Sequence, residues 1–319
     1  MSKSPTWLSK ILGKEAFQYK KHVAGVIQED SLVFLKKIPD KSVDLVLTDP
    51  PYFIDKMGAN WNREKLKISQ GKAKVVGSMP VGMKFDPKQG VQLQAYLEGI
   101  FKECERILKP GGFLVSFSQA RLYHRLAMAA ENSGFEIRDM FAWTYEGQAK
   151  AFTQDHFVKK MDLSDEDKAQ IIEKLGGRKT PQLKPMIEPM VFAQKPKEGT
   201  FIENWLKHSI GLIDTSVQWN GKFPGNVMNC AKPNADERGD DNNHLTVKPQ
   251  KVLQHLIEVL TPPGAVVVDP FAGSSSTQLA ALKAGRHALG CEREEEDFET
   301  SKRRLALLSA KPQLKKQED

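Results

Sequence analysis

The chain has 319 residues, 40% of them hydrophobic and 27% charged; this excludes a disordered polymer and allows one large domain, or one core with an insertion. Lys and Arg outnumber the acids 47 to 40, for a net charge of +7 and a pI of about 9.1, which is compatible with a nucleic-acid partner without establishing one. No apolar run reaches the ~18 residues of a spanning helix, residues 1–14 carry no signal-peptide pattern, and Cys104, Cys230 and Cys291 are too scattered for a metal site, so a cytoplasmic protein is expected.

In chain order, apolar spacing predicts a strand over 22–28 and a helix over 32–38, with Ser31 as its N-cap. After the turn Pro39-Asp40-Lys41, residues 43–48 are apolar enough for a central parallel strand covered on both faces. That strand runs into Asp49-Pro50-Pro51-Tyr52, where two prolines forbid its continuation. Residues 53–90 then hold eight Lys or Arg against three acids, Asp55, Glu64 and Asp86. Lys56, Arg63, Lys65, Lys67, Lys72 and Lys74 of this stretch are candidates for tracking phosphates; a merely solvated loop is the other reading.

An amphipathic helix is expected over 91–108, stopped by Lys109-Pro110-Gly111-Gly112. A strand over 113–117, a helix over 121–132 and a strand over 135–144 follow. Beyond 146 the pattern weakens. It leaves a helix over 164–175 capped by Ser164, an edge strand around Met190-Val191-Phe192-Ala193 beside prolines, and irregular sequence around Trp205, Trp219 and Phe223. Core character returns with a helix over 249–260, a strand over 265–268, the turn 269–277, a helix over 278–283, a strand over 287–290 and a helix over 294–308.

Two strand ends carry chemistry. In open α/β sheets, ligands sit outside the carboxyl ends of strands. Asp49 and the Pro50 carbonyl can accept hydrogen bonds from an exocyclic amine, and Tyr52 can stack on a flat ring; the same residues also read as a capped, proline-terminated strand. The second end is Asp269-Pro270-Phe271-Ala272-Gly273-Ser274, followed by a helix, a strand and Glu292. Glu292 stands 19 residues after Gly273, close to the offset of an acid that binds ribose hydroxyls. The turn has one glycine and an adjacent acid, which suits the ammonium of a methionyl group better than a pyrophosphate, so S-adenosylmethionine is favoured over NAD.

Asp-Pro-Pro-Tyr resembles the signature of the amino-methyltransferases of nucleic acids, and Asp269-Pro270-Phe271-Ala272-Gly273 resembles their cofactor motif. His244-Leu245-Thr246-Val247-Lys248-Pro249, Lys184-Pro185-Met186-Ile187-Glu188-Pro189 and Lys222-Phe223-Pro224-Gly225-Asn226 are similar to further segments of that family. The motif order, catalytic first and cofactor last, is similar to the β group of DNA amino-methyltransferases. The resemblance implies a doubly wound, mostly parallel Rossmann-like methyltransferase sheet. Its catalytic half would span 1–145, a target-recognition insertion 146–243 with one core edge strand near 188–194, and the cofactor half 244–319.

The resemblance also implies Asp49, Pro50, Pro51 and Tyr52 as the catalytic group. It implies Asp30, His244, Thr246, Lys248, Asp269, Phe271, Ala272, Gly273, Ser274 and Glu292 as cofactor residues. Asp30 reads equally as a helix-capping acid, and Trp143 and Tyr145 either stack on bases or pack. Ser275 departs from the family's usual second glycine. The implied partner is double-stranded DNA, without a membrane; a homodimer and a cognate restriction endonuclease are both admitted. Asp at the first motif position resembles the adenine-N6 members. Cytosine N4, a planar amine in RNA or protein, and a non-enzymatic DNA-binding module are the alternatives.

Overall fold

Every residue of β3 (Val43–Thr48) is buried, and this strand lies at the middle of the sheet. The computed structural model describes residues 4–52, 87–147, 149, 151–238 and 247–310. Among them nine strands form one sheet: β1 (Phe17–Tyr19), β2 (His22–Gln28), β3, β4 (Leu108–Phe117), β5 (Glu136–Thr144), β6 (Ile187–Gln194), β7 (Val227–Asn229), β8 (Val266–Asp269) and β9 (His287–Glu292). Their spatial order is β1-β2-β9-β8-β3-β4-β6-β5-β7. The run from β2 to β4 is parallel, while β6 lies antiparallel between β4 and β5.

The alternation of side chains along β3 builds two layers. Leu45 and Leu47 join one core with Val252, Leu256 and Ile257 of the helix Gln250–Leu260. Val46 joins the other with Phe34, Leu97, Phe101 and Leu126. One charge sits inside this apolar strand. Asp44 accepts from Lys109 Nζ at 2.7 Å and from Val266 N–H at 2.8 Å, so its burial is compensated and it ties β3 to the start of β8.

The chain proceeds from β3 to β4 on one side and from β8 to β9 on the other. The reversal of winding falls between β3 and β8, and a ligand crevice is expected outside their carboxyl ends.

Three expectations are corrected. The N-cap of the helix Ser31–Lys36 is Asp30, whose Oδ1 accepts from Leu32 N–H at 2.9 Å and Val33 N–H at 3.4 Å; the Ser31 hydroxyl is instead spent on the Pro270 carbonyl at 2.7 Å. The strand around 190–193 is no edge strand: β6 pairs on both sides. Its proline is tolerated because Pro189 lies just beyond the last β4 pair, Phe117 with Met190, so the missing N–H faces the end of β4. The stretch around Trp205 is not irregular. The helix Phe201–His208 forms there, started by a reciprocal capping box between Thr200 and Glu203.

Candidate active site

The ends of β3 and β8 are joined by one hydrogen bond, from Thr48 Oγ1 to Asp269 Oδ1 at 2.7 Å. Asp269 Oδ1 also accepts from Phe271 N–H at 3.0 Å, which turns the chain sharply after the strand. Burial pushes the Asp269 carboxyl up to about 6, against hydrogen bonds from Thr48, Thr277 and Phe271 that hold it down.

The turn that follows is held from three sides. Ala272 N–H donates to the Cys291 carbonyl at 2.9 Å, and Ser301 Oγ donates to the Gly273 carbonyl at 2.6 Å. Gly273 N–H donates to Glu292 Oε2 at 3.0 Å. Gly273 has φ 51° and Ser275 has φ 65°, ψ 30°, so a serine occupies left-handed backbone at the family's glycine position. The Ser274 hydroxyl accepts from Arg304 at 2.9 Å. At the end of β9, Glu292 Oε1 accepts from Glu294 N–H at 2.9 Å. Burial nevertheless pushes Glu292 up to about 7.

Across the crevice, Asp49 is gripped at both oxygens. The Tyr52 hydroxyl donates to Oδ1 at 2.5 Å, and Lys248 Nζ donates to Oδ2 at 2.5 Å. The same ammonium lies 2.8 Å from Glu188 Oε1 and 5.1 Å from the centre of the Phe117 ring. Burial pulls the Lys248 ammonium toward neutrality, but Asp49 and Glu188 overcome it and hold its pKa above the ordinary value. Burial pushes the Glu188 carboxyl up, against the pull of Lys248. Burial and the neighbouring Asp49 raise Tyr52 well above an ordinary phenol, so it stays a hydrogen-bond donor.

The structure thus brings Asp49, Tyr52 and Lys248 together with Asp269, Phe271, Ala272, Gly273, Ser274 and Glu292 along adjacent strand ends. Pro50 and Pro51 link Asp49 to Tyr52 at the end of β3. Asp30 stands at the end of β2, one strand beyond Glu292, as an exposed helix cap. Trp143 packs in the core with its indole N–H on the Cys230 carbonyl at 2.7 Å. Tyr145 packs against Trp143 with the two rings tilted by 46°, and Lys232 Nζ lies 4.4 Å from its ring centre. His244, Thr246, Lys56, Arg63, Lys65, Lys67, Lys72 and Lys74 lie outside the described residues.

Two site residues escaped sequence reasoning. Thr48 reads as an ordinary strand residue, and nothing local announces its bond to Asp269. Glu188 carried a signal, an acid between an apolar residue and a proline, but it reaches the crevice only because β6 runs against its neighbours.

A doubly wound sheet with a Pro-terminated acidic strand end beside an acid-flanked small-residue turn defines a methyltransferase-type core. The family model for DNA methylase matches residues 43–303. The chain belongs to this N6/N4 DNA methylase family: it is an amino-methyltransferase acting on DNA. The type II methyltransferase M.HindIII of Haemophilus influenzae is 28% identical over 303 residues, covering 88% of this chain and 95% of that protein. M.HinfI, also from Haemophilus influenzae, is 26% identical over 289 residues, covering 90% and 69%. Among solved structures, the cytosine-N4-specific PvuII DNA methyltransferase aligns with a TM-score of 0.56 at 17% identity, covering 90% of this chain and 91% of that one. A putative DNA modification methylase from Thermus thermophilus, complexed with S-adenosyl-L-methionine, aligns with a TM-score of 0.54 at 19% identity, covering 89% and 93%.

Proposed function

We propose that this protein is a modification methyltransferase that transfers a methyl group from S-adenosylmethionine to the N6 amine of an adenine in duplex DNA. The observation that carries the reading is the fixed carboxylate of Asp49 at the β3 end, one strand from the Asp269 turn. The residues around that turn fit the cofactor. Glu292 is a partly buried carboxylate at the next strand end; each of its oxygens accepts one backbone N–H and keeps acceptor capacity for ribose hydroxyls. Phe271 is half-buried with its ring 6.4 Å from that of Tyr96, forming an apolar wall for a flat base. Asp269, Ala272, Gly273 and Ser274 line the methionyl side in this reading. Bound there, S-adenosylmethionine supplies an electrophilic methyl group.

The protein's own residues handle the amine. An aryl amine is a poor nucleophile because its lone pair is delocalised into the ring. Hydrogen bonds to Asp49 and the Pro50 carbonyl favour a more tetrahedral nitrogen. The methylated nitrogen is strongly acidic, and the Asp49 carboxylate takes or relays its proton. A base inside a duplex is unreachable, so the nucleotide is flipped into the crevice and stacked on Tyr52. Asp rather than Ser at the first motif position supports adenine over cytosine. The similarity to M.HindIII supports a role in a restriction–modification system, with a cognate endonuclease as partner.

The test is to methylate duplex DNA with labelled cofactor, digest it to nucleosides and identify the product by mass. N6-methyladenine is expected from the wild type, with none from Asp49→Ala. N4-methylcytosine without N6-methyladenine overturns the base assignment, and full turnover by Asp49→Ala removes Asp49 from the chemistry.

A further inference from the structure

We propose that Glu188 is a positioning residue of this site: by sharing the Lys248 ammonium with Asp49, it keeps the catalytic carboxylate oriented and leaves it acceptor capacity for the substrate. The proposal rests on the methyl-transfer reading above. Lys248 Nζ stands 2.5 Å from Asp49 Oδ2 and 2.8 Å from Glu188 Oε1. The side chains of Lys248, Asp49 and Glu188 are 8%, 17% and 19% exposed, so solvent screens their charges weakly.

With both carboxylates ionised, one ammonium between them leaves the group with one net negative charge. An ammonium facing Asp49 alone would form a neutral pair, and the acceptor strength of Asp49 would go to Lys248 rather than to the amine. A second carboxylate divides the ammonium's three donors. Asp49 keeps its orientation, because Tyr52 holds the other oxygen, and each oxygen retains a free lone pair for the substrate. The Phe117 ring backs the ammonium and keeps it from withdrawing toward β4. Glu188 can do this because β6 is antiparallel: its first residues, not its last, lie at the carboxyl edge of β3 and β4.

Steady-state methyl transfer to duplex DNA, measured with the full chain, separates this role from a structural salt bridge. Glu188→Gln leaves Asp49 and Lys248 as a neutral pair; Lys248→Met leaves two adjacent buried carboxylates, which favours a shared proton over two charges. The double variant places the single negative charge on Asp49. Each single variant is expected to lower kcat by about 10- to 100-fold while KM for cofactor and DNA stays within about threefold. The double variant is expected to exceed the worse single variant by about tenfold; that coupling shows the two residues act together, and the fall in kcat at an unchanged KM separates positioning from a structural salt bridge.

Wild-type kcat in Glu188→Gln overturns the proposal, as does a double variant no better than the product of the singles. A rise in cofactor KM alone in Lys248→Met also overturns it, and assigns that lysine to the cofactor. If Glu188→Gln melts before assay, Glu188→Asp replaces it. Its charge is kept but drawn back by one methylene, so kcat must fall while KM holds, and an unchanged kcat overturns the proposal. Absence of methyl transfer by the wild type would instead sink the parent reading, whereas wild-type transfer with a kcat indifferent to Glu188 sinks the positioning role only.

Discussion

Glu292 accepts two backbone N–H groups and still has its pKa pushed up to about 7, because the end of β9 offers little water. An unfolded Glu titrates near 4.3, so between about pH 4.3 and 7 the folded protein holds a proton that the unfolded chain has lost. The folded state is therefore favoured at the acid end of this window and loses that advantage as pH rises through 7. Asp269, pushed up to about 6, acts in the same direction over a narrower window. Glu292→Gln removes the titration. Denaturant unfolding of the cofactor-free protein should show the wild type losing about 1–3 kcal/mol between pH 5 and 8, at about 1.4 kcal/mol per pKa unit discounted for partial exposure, with a flatter profile in the variant. Parallel profiles would show that Glu292 is not the group titrating.

At the scale of the element, the turn between β8 and the helix Ser276–Lys283 carries an avoidable cost. A non-glycine residue in left-handed backbone costs about 1–2 kcal/mol, and Ser275 sits there with φ 65°. Its hydroxyl is fully buried and meets no hydrogen-bond partner among the described residues. Ser275→Gly relieves both, offset by about 0.5–1 kcal/mol of extra chain entropy. A net gain of about 1 kcal/mol is expected in chemical denaturation, with cofactor binding retained; a loss of stability would mean the hydroxyl has a use. The departure from glycine was legible in the sequence, though the backbone angle was not. The apolar runs of β3 and β8 announced themselves as buried strands because both faces are covered. The place of β6 was hidden, because a proline inside a strand normally marks an edge, and only the premature end of β4 makes Pro189 harmless. The helix Phe201–His208 was within reach of the sequence, because Phe201, Ile202, Trp205 and Leu206 recur at helical spacing behind the start signal of Thr200 and Glu203. Thr48 was illegible as a site residue, and Glu188 was marked only by its segment and not by a role, for a deeper reason: what places them is strand direction and strand adjacency, which no local window contains.

For the whole molecule, charge is distributed unevenly. Residues 53–90 carry eight Lys or Arg against three acids, directly after Tyr52, whereas residues 146–250 balance at fifteen of each sign. If the basic stretch follows the DNA backbone, replacing Lys65, Lys67, Lys72 and Lys74 with Gln should flatten the dependence of log affinity on log salt by up to about 0.9 per lost phosphate contact. An unaltered slope would leave these lysines solvated and without a role in binding. The same large-scale view gives the bond between Thr48 and Asp269 a further meaning, because those residues are 221 positions apart. During synthesis, β3 emerges early but has no neighbour on its β8 side until almost the whole chain has been made. The growing polypeptide thus displays the Asp49 turn long before it owns a cofactor crevice, and loop closure over such a separation is slow. Completion of the crevice therefore waits on the last two described strands, β8 and β9, which are also the last made.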